Sequence, residues 1–229
     1  MHKSFLAIGL MAALAVAAQA QLLRRPTVRA SGQATVSSKP DQLRLSVGVT
    51  TRAATAQEAS EQNAAQATRV IAALQRLVGT TGELKTVGYS VSPIYRNSPD
   101  GTQTITGYQV NNTVEVTTSD LSLGGKLIDA GIQAGATNVQ SLRFSLKDSE
   151  PVRLEALRLA TLQARRRAEA IATGLSARLG HVLSAEEGGS SVAVPIDTRA
   201  LAAAGSTPTP IETGMVDLTA TVTLEIELI

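Results

Sequence analysis

The chain has 229 residues, with 21 Lys and Arg, 19 Asp and Glu, and no Cys. This length suffices for one sizeable core or two small lobes, while the absence of Cys excludes disulfides and thiolate metal sites. The near-neutral charge, no Trp and only three Tyr also exclude a nucleic-acid groove, which needs both a basic surface and aromatic platforms.

The first twenty residues have the pattern of a secretory signal peptide. Lys3 gives a short positive start, an apolar stretch follows, and Ala18-Gln19-Ala20 forms a small-x-small cleavage site. The apolar stretch is too short for a transmembrane span, so we expect no transmembrane anchor. We predict cleavage near Ala20 and a periplasmic or secreted mature protein, residues 21–229, folded as a single domain. The alternative is a buried N-terminal helix.

Strand patterns begin directly after this segment. Apolar and polar residues alternate with a period of two, which is typical of antiparallel strands with one buried and one wet face. Turn residues at 39–41 and 98–101 predict hairpins between the first two strands and within the middle pair. The predicted strands are residues 28–36, 42–49, 84–95, 105–118, 139–147, 181–186 and 216–228.

Three helices are predicted between the strands. Thr55 and Glu58 form a capping box for the first, which ends at Gly79. Its inner stripe is predicted to be Ala59, Asn63, Ala67, Val70, Leu74 and Leu77. The second helix runs from about Asp120 to Gly135, and the third from about 151 to 180.

This order of elements predicts the fold class. One-sided strands interrupted by helices favour an α+β protein, with antiparallel sheet or sheets of about seven strands and three helices packed on one face.

The third helix carries three adjacent cations, Arg165, Arg166 and Arg167. Its apolar seam is predicted to be Leu154, Leu157, Thr161, Ala164, Ala168, Ile171 and Leu175. Arg166 then points away from the seam, and Glu169 can pair with Arg165 or Arg166. We interpret the run as a solvated face, and a site for an acidic partner is the alternative.

The sequence contains no group of residues with the pattern of a catalytic site. His181 is the only His after the predicted cleavage site, so one chain cannot build a two-His metal site, and we assign His181 a surface or helix-cap role. The acids fall in turns, caps and wet strand faces, Glu225 and Glu227 among them, and Gly124-Gly125 lacks the Lys and Ser or Thr of a phosphate loop. We therefore predict no catalytic residues, no cofactor and no metal.

Tyr89, Tyr95 and Tyr108 fall on the predicted central hairpin. They are a candidate ligand or interface patch. Cross-strand aromatic packing is the alternative reason for their placement, and we favour it.

Residues 187–214 do not fit compact structure, because they are rich in small residues and lack a stable period. They predict either a flexible insertion or an assembly arm that orders against a neighbouring subunit. The arm hypothesis rests on the apolar residues Val192, Val194, Ile196, Leu201 and Ile211. We further expect the final strand to be an open edge that invites pairing.

Six blocks together resemble one family. They are VRASGQATVSSKPDQLRLSVGV, VGYSVSPIYRN, ITGYQVNNTVEV, DLSLGGKLIDAGIQAGATNVQSLRF, ALRLATLQARRRAEAIATGL and IETGMVDLTATVTLEIEL. In this order they resemble the SIMPL-domain proteins, an exported bacterial group that includes the YggE-like proteins. The resemblance implies an α+β fold, a periplasmic or envelope-associated location, a link to stress or immunogenicity, and large ring-like homo-oligomers in some members. It implies no established catalytic residues.

From these observations we predict a non-enzymatic exported protein that self-assembles and supports envelope or oxidative-stress homeostasis. Its expected partners are further copies of itself, with peripheral association with the envelope. A binding module for a small or lipidic envelope ligand is the second hypothesis, and an enzyme of unknown reaction is the third.

Overall fold

A computed structural model describes residues 25–99, 101–189, 191–193 and 209–229. The elements, labelled in chain order, are β1 (Thr27–Ser38), β2 (Gln42–Ala53), α1 (Ala56–Val78), β3 (Gly82–Asn97), β4 (Gln103–Thr118), a 3₁₀ turn (Leu121–Leu123), α2 (Gly124–Gln133), β5 (Asn138–Ser145), α3 (Glu150–Gly174), β6 (Leu179–Glu187), β7 (Ser191–Ala193) and β8 (Val216–Leu228). The predicted α+β class is confirmed, and all seven predicted strands are present. The short strand β7 was not predicted.

The chain divides into two compact units. Among the described residues, unit 1 comprises 25–36, 151–189, 191 and 218–229, and unit 2 comprises 37–99, 101–150, 192–193 and 209–217. Two four-stranded antiparallel sheets supply their frameworks: β1, β8, β6 and β7 form one, and β3, β4, β2 and β5 form the other. The predicted hairpin between the first two strands is therefore wrong, since β1 and β2 belong to different sheets.

The sheet of unit 1 has the order β1-β8-β6, and β7 also pairs with β8. The final strand therefore lies inside the sheet, and the expectation that it is an open edge is wrong. The polar face of β8 is also more buried than expected, since Glu227 is only 8% exposed and pairs with Arg25 at 2.9 Å.

Helix α3 packs on this sheet through a ridge of alanines rather than through leucines. The buried residues of the helix recur every fourth position and are Ala156, Ala160, Ala164, Ala168 and Ala172. The predicted seam is thus right at Ala164 and Ala168. It is wrong at Leu154, Thr161, Ile171 and Leu175, which are exposed.

The alanine ridge has a physical reason in β1. A Cβ built on Gly32 would lie 2.1 Å from the Ala160 carbonyl oxygen and 2.4 Å from the Ala164 backbone nitrogen. The helix backbone therefore lies directly against the strand backbone, and only small side chains fit at this contact.

Helix α3 ends at Gly174, six residues before the predicted end. Ser176 has a positive φ of 57° directly after it, a conformation that reverses the chain. Strand β6 consequently begins at Leu179, and His181 lies exposed on that strand rather than at a helix end. The helix-cap role considered for His181 is therefore wrong.

The sheet of unit 2 has the order β3-β4-β2-β5, with every pair antiparallel. Helices α1 and α2 cover one face of it with a core of large side chains. The largest members of this cluster are Leu43, Leu45, Val47, Val49, Val70, Leu74, Val78, Val114, Val116, Leu127 and Phe144. This core resembles an ordinary helix-on-sheet layer.

The predicted boundaries of α1 are confirmed. The Thr55 side chain accepts a hydrogen bond from the Glu58 backbone N–H at 3.2 Å, and Gly79 ends the helix with φ +55°. The buried stripe matches the prediction except at its end, where Val78 is buried and Leu77 is 36% exposed. Across the described ranges, no helix is both long and apolar enough to span a bilayer.

Candidate interaction surface on the β3–β4 hairpin

Strands β3 and β4 form a long hairpin in unit 2. Their pairing runs from Gly82 opposite Thr118 to Asn97 opposite Gln103. The predicted turn follows, where Ser98 N–H donates to the Thr102 carbonyl at 2.9 Å and Gly101 has φ +83°. Of the two hairpin strands, β4 pairs with β2, and β3 is an edge strand of the sheet.

One face of the hairpin is apolar and exposed. Beyond a bulge at Val87, alternation places Tyr89, Val91, Pro93 and Tyr95 of β3 on the same face. Val91 lies opposite Val110, which is fully buried on the helix-covered face, so the four residues continue that face. Tyr89 is 57% exposed, Val91 42% and Tyr95 55%. We call these four residues, with Ile105 and Tyr108 of β4, the hairpin strip.

The strip is exposed because α1 covers this face only in part. Along β4, exposure increases from buried Val110 through half-buried Tyr108 to Ile105, which is 52% exposed. Helix α1 begins at Ala56, and its residue Asn63 already contacts the Val110 carbonyl. The rest of the hairpin therefore extends beyond the helix that would otherwise bury it.

The three predicted tyrosines are on the hairpin, but none lies directly opposite another. Tyr89 pairs with Asn112, Tyr108 with Pro93, and Tyr95 with Ile105. Tyr95 and Tyr108 are diagonal neighbours, within reach of aromatic side chains, so cross-strand aromatic packing, the favoured alternative, stays a prediction. The three tyrosines share one apolar face, and its further members Val91, Pro93 and Ile105 were not predicted from the sequence.

Two carboxamides lie at the inner end of the strip. Asn63 is fully buried, and its Nδ2 donates to the Val49 carbonyl at 2.9 Å and to the Val110 carbonyl at 3.4 Å. The Oδ1 atoms of Asn63 and Asn112 are buried without a hydrogen-bond partner among the described residues. Since Asn112 lies opposite Tyr89, the strip adjoins an acceptor that lacks a donor.

The outer edge of β3 is poorly suited to extend the sheet. Pro93 has no backbone N–H to donate, and the β3–β4 register shifts at Thr86/Gly88 and at Ile94/Tyr95. Prolines and bulges are common devices that block edge-to-edge pairing. The accessible feature of this hairpin is therefore its face rather than its edge.

The residues of the predicted assembly arm fall in different places. Val192 lies in the short strand β7, and Val194, Ile196 and Leu201 lie outside the described residues. Ile211 packs against the core of unit 2, next to a close contact between Gly125 and the Thr209 backbone. Thr209 also donates from its hydroxyl to Asp129 at 2.8 Å, which fixes residues 209–211 on α2.

The arginine run on α3 is a solvated face, as predicted, with one addition. All three arginines are exposed, and Arg165 pairs with Glu169 at 3.2 Å. Arg167 donates to the Ser31 carbonyl of β1 at 2.8 Å, so it also links helix to strand. Arg166 has no hydrogen-bond or ion-pair partner in the described part of the chain.

Within the described ranges, no three or more His, Asp or Glu residues cluster with metal-binding geometry. A shallow hollow in unit 2 is lined by Thr and Ser side chains and also by Asp41, Glu83 and Lys147. Hydrogen bonding to Arg158 lowers the pKa of the Glu155 carboxyl, but this exposed pair lies within one helix.

The described residues thus form a two-unit α+β protein with an exposed apolar strip on the β3–β4 hairpin. The SIMPL family model, described as a protein of unknown function (DUF541), matches residues 28–226. The chain therefore belongs to the SIMPL family, which confirms the resemblance inferred from its sequence.

Individual relatives agree with this assignment. The chain is 27% identical to the 26 kDa periplasmic immunogenic protein of Brucella melitensis over 79% of its own length and 74% of the relative's. It is 28% identical to the uncharacterized protein YggE of Edwardsiella ictaluri, over 89% and 84% of the two chains. YggE of Escherichia coli K12 is also 28% identical, over 76% and 71%.

Proposed function

We propose that this protein is a non-enzymatic periplasmic protein that self-assembles, and that its assembly supports envelope or oxidative-stress homeostasis. The observation that carries the proposal is the hairpin strip, an uncharged face on which Tyr89, Val91, Tyr95 and Ile105 are each between 42% and 57% exposed. Contiguous apolar surface of this kind marks interaction sites on folded proteins.

The periplasmic location is supported by two lines of reasoning. Residues 1–20, which lie outside the described residues, have the charge, apolar and cleavage pattern of an export signal. The Brucella relative is named a periplasmic protein. The stress role rests on the family likeness alone, and a strain that lacks this gene should therefore become more sensitive to peroxide, with recovery when the gene is restored.

A small or lipidic ligand is the second candidate for the strip. It is favoured by the exposed aromatic and aliphatic side chains of the strip, because small-molecule sites are lined mainly by side chains of this kind. The two candidates differ in what accompanies the purified protein: another copy of the chain, or a small molecule.

Native mass spectrometry of the protein purified from its own periplasm distinguishes them. We expect subunits that begin at Gln21 and that are present as a homo-oligomer. A monomer with a retained small molecule would favour the ligand hypothesis, and a monomer without one would contradict both. Subunits that still begin at Met1 would contradict export.

A further inference from the structure

Along β3, the order of the side chains in the hairpin strip is almost the same in both directions. Its residues in order are Tyr89, Val91, Pro93 and Tyr95, and the midpoint of this series is Ser92. A two-fold axis through that midpoint exchanges the two tyrosines, and it exchanges the two smaller apolar residues. A surface with this property can face a copy of itself, which is what an isologous interface requires.

We propose that a second copy of this chain packs on the hairpin strip, face to face, about a two-fold axis near Ser92. This inference rests on the proposed self-assembly and names its contact surface. In this arrangement Tyr95 of each copy lies over Tyr89 of the other, and Val91 lies over Pro93. Aromatic and aliphatic side chains of this kind are enriched at the centres of protein interfaces.

The charges of the hairpin favour a second copy over an anionic lipid surface. The strip contains no Asp, Glu, Lys, Arg or His, so two strips meet without like-charge repulsion. The cations of β3 lie on the opposite face: Lys85 pairs with Glu115 at 3.2 Å, and alternation directs Arg96 the same way. An anionic headgroup would need these cations beside the apolar side chains.

The protected edge of β3 decides between the two ways in which a hairpin can associate. Pro93 and the two register shifts in the β3–β4 pairing oppose extension of the sheet by an added strand. The face is free of these obstacles. The copies therefore meet through side chains, as stacked sheets do.

The size of the strip sets the strength of the contact. A covered aromatic side chain buries on the order of 150–250 Å², so covering these half-exposed tyrosines with Val91 and Ile105 removes roughly 400 Å² per copy. Stable interfaces bury about 800 Å² per partner. The strip pair is thus a reversible contact, and larger assemblies add further contacts to it.

Cysteine cross-linking tests the face directly, because the chain has no native Cys. Val91→Cys places a thiol on the strip, and Ser92→Cys places one on the other face of the same strand as a matched control. Both positions are exposed. With a short bis-maleimide, we expect V91C to form mainly covalent dimers and S92C to stay mainly monomeric.

The outcomes separate this inference from the function on which it rests. If the unmodified protein is oligomeric and V91C cross-links no better than S92C, the strip is not the interface, although self-assembly stands. If S92C cross-links preferentially, the interface is the opposite face. If the unmodified protein is monomeric, self-assembly itself fails. Circular dichroism of both variants verifies that each is folded.

Discussion

Each unit packs helix on antiparallel sheet, but the side chains at the helix–sheet contact differ between the two units. In unit 1 the buried side of α3 consists of alanines, and the helix backbone touches β1 at Gly32. In unit 2 the buried side of α1 includes Val70 and Leu74, and side chains separate the helix from the sheet. A direct contact between two backbones leaves no space for a larger side chain, whereas a layer of side chains can repack around one.

Glycines in the two units make this difference measurable. A Cβ on Gly32 would meet backbone atoms of α3 at 2.1 and 2.4 Å. A Cβ on Gly131, which is buried on α2 of unit 2, would meet only side chains, the nearest being Val47 at 3.7 Å. The first distance is a clash, and the second is an ordinary van der Waals contact.

The largest expected effect follows from Gly32→Ala. The added methyl group must push α3 away from β1, which overpacks the contact and costs about 1–3 kcal/mol of the free energy of unfolding, or more if the helix cannot shift. Urea denaturation followed by circular dichroism measures this loss. Unchanged stability would show that α3 does not lie against β1 as described.

The matched change in unit 2 has the opposite sign. Gly131→Ala adds a methyl group within reach of Val47 and Leu74 without a clash, and alanine is the better helix former at this position. We expect a gain of about 0.4–1 kcal/mol in the free energy of unfolding, partly because the unfolded chain loses freedom. A loss as large as that of Gly32→Ala would remove the distinction between the units.

The smallest expected effect concerns the arginines of α3. Arg167→Gln removes the hydrogen bond to the Ser31 carbonyl and should cost about 0.5 kcal/mol, the lower end for such a bond at an exposed position. Arg166→Gln should cost less than that, because solvated residues contribute little. Replicate urea titrations resolve the order, and a greater loss for Arg166 would contradict the assignment of Arg167 as the link to β1.

The sequence predicted the elements well because their causes are local. Alternation defined the strands, and Thr55 and Gly79 defined the ends of α1. The inner seam of α3 was mispredicted because hydrophobicity favoured Leu154 and Ile171 over the alanines. The alanine ridge follows from the close approach of Gly32, a contact between residues far apart in the chain.

The candidate site shows the same limit. The tyrosines could be predicted on one hairpin from their spacing, but their exposure depends on where α1 stops covering the sheet. The sequence likewise gave no reason to place β8 inside its sheet, since strand order is set by pairings between distant segments. Asn63 was correctly placed on the inner stripe of α1, while its acceptors Val49 and Val110 could be found only in the fold.

The most direct test of the account is the molar mass of the mature chain, residues 21–229, by light scattering at tens of micromolar, a range of roughly 10⁻⁵ M in which even a modest contact is populated. We predict a homo-oligomer for the unmodified protein and a lower mass for the double variant Tyr89→Ser, Tyr95→Ser, whose fold should be unchanged because both rings are more than half exposed. A monomeric unmodified protein at this concentration would contradict the account.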